Sequence, residues 1–210
     1  MMSIIDIWQS SPKELRESYV IPDGYQDVII VRKPGIAPYI YLSPLYCNTI
    51  KVSLTADTSM MGFRLQPGSN FSRLSMTCLE QSIDSKEIVT DIIESSTFTD
   101  IHVAEALACI REYGQSIQYC AEQLGVSSRT LQRLLSKHTT RSPTFWLQLA
   151  RVRRCALELS NNGVHPDIAY QCHYSDQAHM CREIKQWFGV TPSQLVTRTD
   201  LTEQLYAQAY

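Results

Sequence analysis

His179, Cys181, Arg182 and Lys185 fall within seven residues of one another in the stretch YSDQAHMCREIKQWFGVTP, 174–192. An imidazole and a thiolate suggest a metal centre, and a cysteine near a histidine suggests a nucleophile. A row of donors suggests a surface for a large anion. Helical spacing decides among them. Residues two apart on a helix point about 160° away from each other, so His179 and Cys181 cannot hold one ion. Cys172 and His173 are adjacent and fall in a turn, and neighbours rarely supply two ligands. No cysteine has a base or an oxyanion hole beside it in sequence, which argues against nucleophilic catalysis. We therefore expect no metal site, no catalytic residue, no cofactor and no enzymatic activity.

The seven cysteines, Cys47, Cys78, Cys109, Cys120, Cys155, Cys172 and Cys181, are odd in number and contain no CxxC pair. They read as free thiols, mostly buried. The N-terminal MMSIIDIWQSSPKELRE puts acids where a signal peptide needs lysines, and no apolar run approaches the roughly eighteen residues of a membrane span. A cytoplasmic protein with no membrane partner is expected. At 210 residues and 44% hydrophobic content, the chain has room for one ordinary domain or two small ones.

The net charge of −2 hides a division. Residues 1–100 carry 8 basic and 12 acidic side chains, residues 101–210 carry 11 and 9, and no acid occurs from Gln123 to Leu157. That stretch holds seven cations: Arg129, Arg133, Lys137, Arg141, Arg151, Arg153 and Arg154. A basic run without acids suggests a polyanionic partner, although such runs also occur as plain solvated faces.

The first seventy residues are strand-rich, with VIIV at 28–31, YIYL at 39–42 and TIKVSL at 49–54 separated by proline, glycine and polar turns. Ser11-Pro12 before KELRE suggests a short helix. SRLSMTCLEQSI and SKEIVTDIIESS space their apolar residues three and four apart, as connecting helices do.

From Asp100 onward the pattern is helical, and one unit occurs twice. Ala121 and Ala169 are 48 residues apart, as are Val126 and Tyr174, and Ser127 and Ser175; Arg133 and Arg182, and Pro143 and Pro192, are 49 apart. Each copy has a short helix carrying the alanine, a tight break, a serine able to cap, and a second amphipathic helix. A small alanine lets two helices approach, and Gly125 permits the positive φ of a sharp turn. This is the helix-turn-helix pattern. On a wheel, Leu131, Leu134 and Leu135 share one sector, opposite Arg129, Arg133 and Ser136 and flanked by Gln132 and Lys137. Likewise Met180, Ile184, Trp187 and Phe188 share one side, leaving Ala178, His179, Arg182, Lys185 and Gln186 outward. Arginine can fork to guanine and glutamine to adenine in the major groove.

Between the copies, Ser142-Pro143 opens a helix in which Phe145, Leu149, Val152, Ala156 and Leu159 keep helical spacing. Some sixteen residues make a rod of roughly 24 Å. Major-groove faces recur about every 34 Å, so one chain could engage two neighbouring grooves, with the DNA bending if the rod does not.

These residues resemble the AraC/XylS transcriptional regulators over about 100–198, in LGVSSRTLQRLL, RVRRCALELS and, most specifically, IAYQCHYSDQAHMCREIKQWFGVTP. The resemblance implies two helix-turn-helix units that bind adjacent major grooves of double-stranded DNA. It places base contacts at Arg129, Gln132 and Arg133 in the first unit and at Gln177, Ala178, His179 and Arg182 in the second. Ser136, Lys137 and Lys185 complete the expected DNA-binding set. His173 stands where the family usually has glycine, so a strained or differently shaped second turn is expected. Pro22-Asp23-Gly24 and GFRLQPG at 62–68 are similar to a small domain preceding this module in some members. Its length puts a roomy small-molecule pocket in doubt.

The expected fold is α+β: a small β-rich N-terminal domain (1–72), a helical connector (73–99), an all-α domain with two helix-turn-helix units joined by a linker helix (100–198), and a tail (199–210). The expected function is sequence-specific transcription regulation, with activation favoured over repression. RNA polymerase, a second copy through the N-terminal region and an unknown small-molecule effector are the further partners. The main alternative is a protein-interaction module with a degenerate DNA-binding face. A cysteine-based alkyl-transfer repair protein is disfavoured, because its four-cysteine zinc cluster has only Cys47 and Cys78 to draw on in the first hundred residues.

Overall fold

The computed structural model describes residues 3–71 and 73–207, with the backbone alone at 73–75. Six strands open the chain: β1 (Ile4–Ser10), β2 (Arg16–Val20), β3 (Gln26–Lys33), β4 (Ile36–Leu42), β5 (Ile50–Leu54) and β6 (Ser59–Leu65). Four form an antiparallel sheet in the order β1-β6-β3-β4, and β2 pairs with β5 in a separate ladder. Two short strands, β7 (Asn70–Phe71) and β8 (Thr97–Phe98), bracket two helices, α1 (Arg73–Gln81) and α2 (Lys86–Ser96). Beyond connecting, both helices cover the sheet: Leu79, Val89 and Ile93 pack with Val28, Ile30, Phe63 and Leu65. The period of two divides β3 between its faces. Val28 and Ile30 meet the helices, while Ile29 lines a cavity on the other side. That double coverage is why VIIV is an unbroken apolar run.

The short helix expected after Ser11-Pro12 does not form. Residues 11–15 are an irregular bend, and the chain then pairs as β2 from Arg16↔Leu54 to Val20↔Ile50. Helix propensity in KELRE amounts to tenths of a kcal/mol per residue, too little to oppose a five-residue ladder. At the β1–β6 crossing Gly62 faces Trp8, and a Cβ there would lie 2.1 Å from the indole. Glycine lets the ring lie flat across the neighbouring strand.

The helical part comprises α3 (Ile101–Tyr113), α4 (Ile117–Gln123), α5 (Ser128–His138), α6 (Pro143–Asn162), α7 (Ile168–Gln171), α8 (Gln177–Phe188), α9 (Pro192–Leu195) and α10 (Thr199–Tyr206). Helix α6 is the axis. Phe145, Leu149, Val152, Ala156 and Leu159 are buried as their spacing requires, and Trp146, Ala150 and Cys155 bury a second side. Its neighbours are α3, α4 and α5 on the first unit and α7, α8 and α9 on the second. With 20 residues it is longer than the sequence pattern suggested, about 30 Å at 1.5 Å per residue. The tail forms α10, whose Leu201 and Leu205 pack on α6; residues 208–210 lie outside the described residues.

The β part is bonded into the helical part. Ile21 and Leu45 enter the helical core, and Gly68 lies against Val103 and Leu107. Thr49 donates from its amide to the carbonyl of Trp187 at 2.7 Å. The Gln204 carboxamide accepts from the Ile21 amide and donates to the Tyr19 carbonyl, gripping the end of β2. No helix among the described residues is long and apolar enough to cross a membrane.

Candidate nucleic-acid interface

The first unit is α4, a turn, and α5. The Gly125 amide donates to the carbonyl of Glu122 and the Val126 amide to that of Ala121, with Gly125 at φ +66° closing the turn. Ser127 then caps α5, its hydroxyl accepting from the Thr130 amide at 3.1 Å. Leu131 and Leu135 are buried and Leu134 half-buried. Arg129, Gln132, Arg133, Ser136 and Lys137 are all exposed along the opposite face.

The second unit repeats these bonds 48 residues later. His173 donates to Tyr170 and Tyr174 to Ala169, and His173 takes φ +60° in the place of Gly125. The turn keeps the shape of the first, so the departure from glycine appears as left-handed backbone at a residue with a side chain. The cap differs from expectation. Asp176, not Ser175, caps α8, its carboxylate accepting from the His179 amide at 2.7 Å. Ser127 and Asp176 are 49 apart, so Ser175 is the residue added in the second copy; its hydroxyl lies 3.1 Å from Asp176 and 3.2 Å from His179 Nδ1. Gln177, Ala178, Arg182 and Lys185 are exposed, while His179 is half-buried with its ring edge-on to Tyr174.

The two caps respond differently to acid. The His179 amide and the Ser175 hydroxyl hold the Asp176 pKa below its ordinary value. A depressed carboxylate stabilises above its unfolded pKa, and the contribution is lost as pH falls through the folded value. Below about pH 4, the amide of His179 is therefore expected to gain hydrogen exchange relative to Thr130, whose serine cap does not titrate. Equal protection of both amides across that range would refute the assignment.

The acid-free basic run is not one surface. Arg141 donates to the Leu45 carbonyl and lies over the Phe145 ring. Arg151 pairs with Glu183 at 2.6 Å. Arg153, 4% exposed, donates to the carbonyls of Pro22, Gln204 and Leu205, and burial lowers its pKa to about 10, which leaves it charged at neutral pH. Arg154 donates to the carbonyls of Arg111 and Glu112. Four of the seven cations thus hold the fold together. Arg129, Arg133 and Lys137 make no hydrogen bond or ion pair with any described residue. The stretch lacks acids partly because carbonyls serve its arginines instead.

Glu183 was missed in the sequence. It is 5% exposed on the inner side of α8, next to Ile184 and three residues after Met180, and a carboxylate on an apolar face was its legible signal. Cys109, Cys120, Cys155 and Cys172 are buried, Cys181 is half-buried, and Cys47 and Cys78 are exposed.

Two capped hairpins in register, carried on one buried helix and each presenting a polar outer face, define a double helix-turn-helix module. A family profile described as a helix-turn-helix domain matches residues 120–198. The chain is 29% identical over 108 residues to the HTH-type transcriptional activator RhaS of Salmonella schwarzengrund, covering 49% of this chain and 38% of that protein. The chain thus matches well under half the length of that relative. Among solved structures, an AraC-type DNA-binding-domain regulator from Chromobacterium violaceum shares 22% identity over 46% of this chain and 89% of its own, with a TM-score of 0.41. ToxT from Vibrio cholerae O395 shares 11% identity over 91% and 95%, with a TM-score of 0.45. Residues 120–198 are thus a helix-turn-helix domain, and the matches support the AraC/XylS resemblance read from the sequence.

Proposed function

We propose that this chain is a cytoplasmic, sequence-specific DNA-binding transcription regulator that places α5 and α8 in adjacent major grooves. One observation carries the reading: each unit turns its leucines or aromatics into the core and leaves a donor-bearing face in solvent. In this reading Arg129, Gln132 and Arg133 read bases from α5, and Gln177, Ala178, His179 and Arg182 read them from α8. Ala178 offers only a methyl, suited to a thymine methyl. Ser136, Lys137 and Lys185, further along, contact phosphates. Helix α6, about 30 Å long, sets the two units apart, and the duplex must bend as far as their separation differs from the groove repeat of about 34 Å. Activation is the favoured mode, since the RhaS relative is a transcriptional activator, and contact with RNA polymerase would be its route.

Fluorescence anisotropy on random duplex across a salt series tests the reading. Counterion release gives a steep negative slope of log affinity against log salt, and Lys137→Ala is expected to reduce it by about one while weakening all sequences alike. A flat slope would instead favour a protein-binding module.

The N-terminal part is proposed to hold a small polar effector and to pair two copies. A cavity of about 230 Å³ between the sheets supports the first role. In its wall Arg64 is bridged to Asp23 and Asp27, both at 3.1 Å, and Trp8, Tyr41 and Tyr46 add aromatic surface. Arg153 of α6 grips Pro22, the neighbour of Asp23, so the cavity wall is bonded to the linker helix. An effector should raise the melting temperature saturably in the wild type and not in Asp27→Asn; a rise of equal size in both would place it elsewhere.

A further inference from the structure

The second unit contains a buried polar cluster with no counterpart in the first. Arg151 of α6 reaches Glu183 of α8 at 2.6 Å, with side-chain exposures of 17% and 6%. The guanidinium lies 4.7 Å from the centre of the Tyr174 ring, and His179 Nε2 lies 3.8 Å from the same carboxylate oxygen. Arg151 Nε, Glu183 Oε1 and the Tyr174 hydroxyl are buried without a hydrogen-bond partner among the described residues. Burial and the Glu183 carboxylate both push the Tyr174 hydroxyl pKa up, consistent with an enclosed site. In the first unit the residue 49 positions before Glu183 is Leu134, and the one 48 before Tyr174 is Val126.

A buried ion pair with unfilled hydrogen-bonding capacity is a poor source of stability, because desolvation offsets its Coulombic attraction. It is nevertheless directional. A guanidinium locked to a carboxylate and stacked on a ring tolerates little sliding or rotation, whereas leucine packing is tolerant of both. Glu183 follows Arg182 directly and lies one turn after His179, so whatever fixes Glu183 fixes the donors on the outer face. We infer that Arg151 and Glu183 are positioning residues for DNA recognition: they set the pitch of α8 on α6 and thereby the specificity of the second half-site. The inference rests on the DNA-binding reading above.

The test uses the full chain and a duplex obtained by in-vitro selection with the wild type, alongside versions with either half-site scrambled. If the wild type shows no preference for the selected duplex over random DNA, the DNA-binding reading itself fails before any variant is measured. Given that preference, Arg151→Leu/Glu183→Leu, which replaces the pair by apolar packing, is expected to keep a cooperative melt near the wild-type temperature. It should lose about tenfold or more in affinity for the selected duplex, and scrambling the second half-site should abolish the difference from wild type. Arg151→Lys keeps the charge but not the planar guanidinium over the Tyr174 ring, and provides the readout if the double variant does not fold. Its loss should be smaller and confined to the same half-site. Wild-type affinity and half-site preference in the folded variant, or a loss spread equally over both half-sites, would overturn the inference.

Discussion

The Arg133→Ala/Arg182→Ala double variant is expected to lose about 2–6 kcal/mol of affinity for its selected duplex, as each arginine contributes about 1–3 kcal/mol of base discrimination. The two effects should add, because the side chains lie on separate helices with no shared partner. Both arginines are exposed, and Arg133 has no hydrogen-bond or ion-pair partner among the described residues to compensate for its removal. Each single variant should relax base preference at one position within its own half-site and leave the other half-site unchanged. Anisotropy titrations on the selected duplex, on single-base variants and on random DNA separate the outcomes. A loss of the same size on every duplex would mean that these side chains contact phosphate and that the base-contact assignment is wrong.

Trp146→Ala is expected to have the largest effect on stability, about 3–5 kcal/mol. Trp146 is fully buried near the start of α6, edge-on to Phe145 at 5.3 Å, and its indole donates to the Thr139 hydroxyl at 3.1 Å. Phe145 in turn meets Trp187 of α8 at 5.5 Å, and Thr139 caps the C-terminus of α5. One aromatic knot therefore touches both proposed reading helices. For a chain of this size the midpoint should fall by roughly 6–20 °C in a thermal melt. Trp146→Phe, which keeps one aromatic ring but removes the indole donor and part of the volume, should fall by less. A drop of only a degree or two in the alanine variant would show that this knot is not the structural junction of the two units.

Much of the helical half was legible because its information is local. The leucines of α5 and the aromatics of α8 recur at helical spacing, and the serine before α5 and the proline opening α6 carry capping chemistry at the positions where it acts. The family resemblance placed His173 where a glycine is usual, and its φ of +60° is the left-handed backbone that such a turn needs. The spacing of the two copies misjudged what lay one residue away: the second cap is Asp176, because the added residue falls between the turn and the helix, where periodicity carries no signal. In the β half, VIIV and YIYL were readable as β3 and β4, whereas KELRE was not readable as the approach to a strand, since its outcome depended on a ladder with residues 50–54.

The sequence by itself determined the two capped hairpins, the helix that joins them and the side of each recognition helix that faces water. These follow from torsional preferences and from spacing within a few residues. Only the tertiary structure decided which cations are free. Arg153 is bound to a carbonyl 131 residues away, Arg151 to a carboxylate 32 residues away, and Arg129 and Arg133 to no described residue. The effect of a charge depends on its nearest opposite or polar group in space, and chain folding sets that neighbour over separations that no local pattern records.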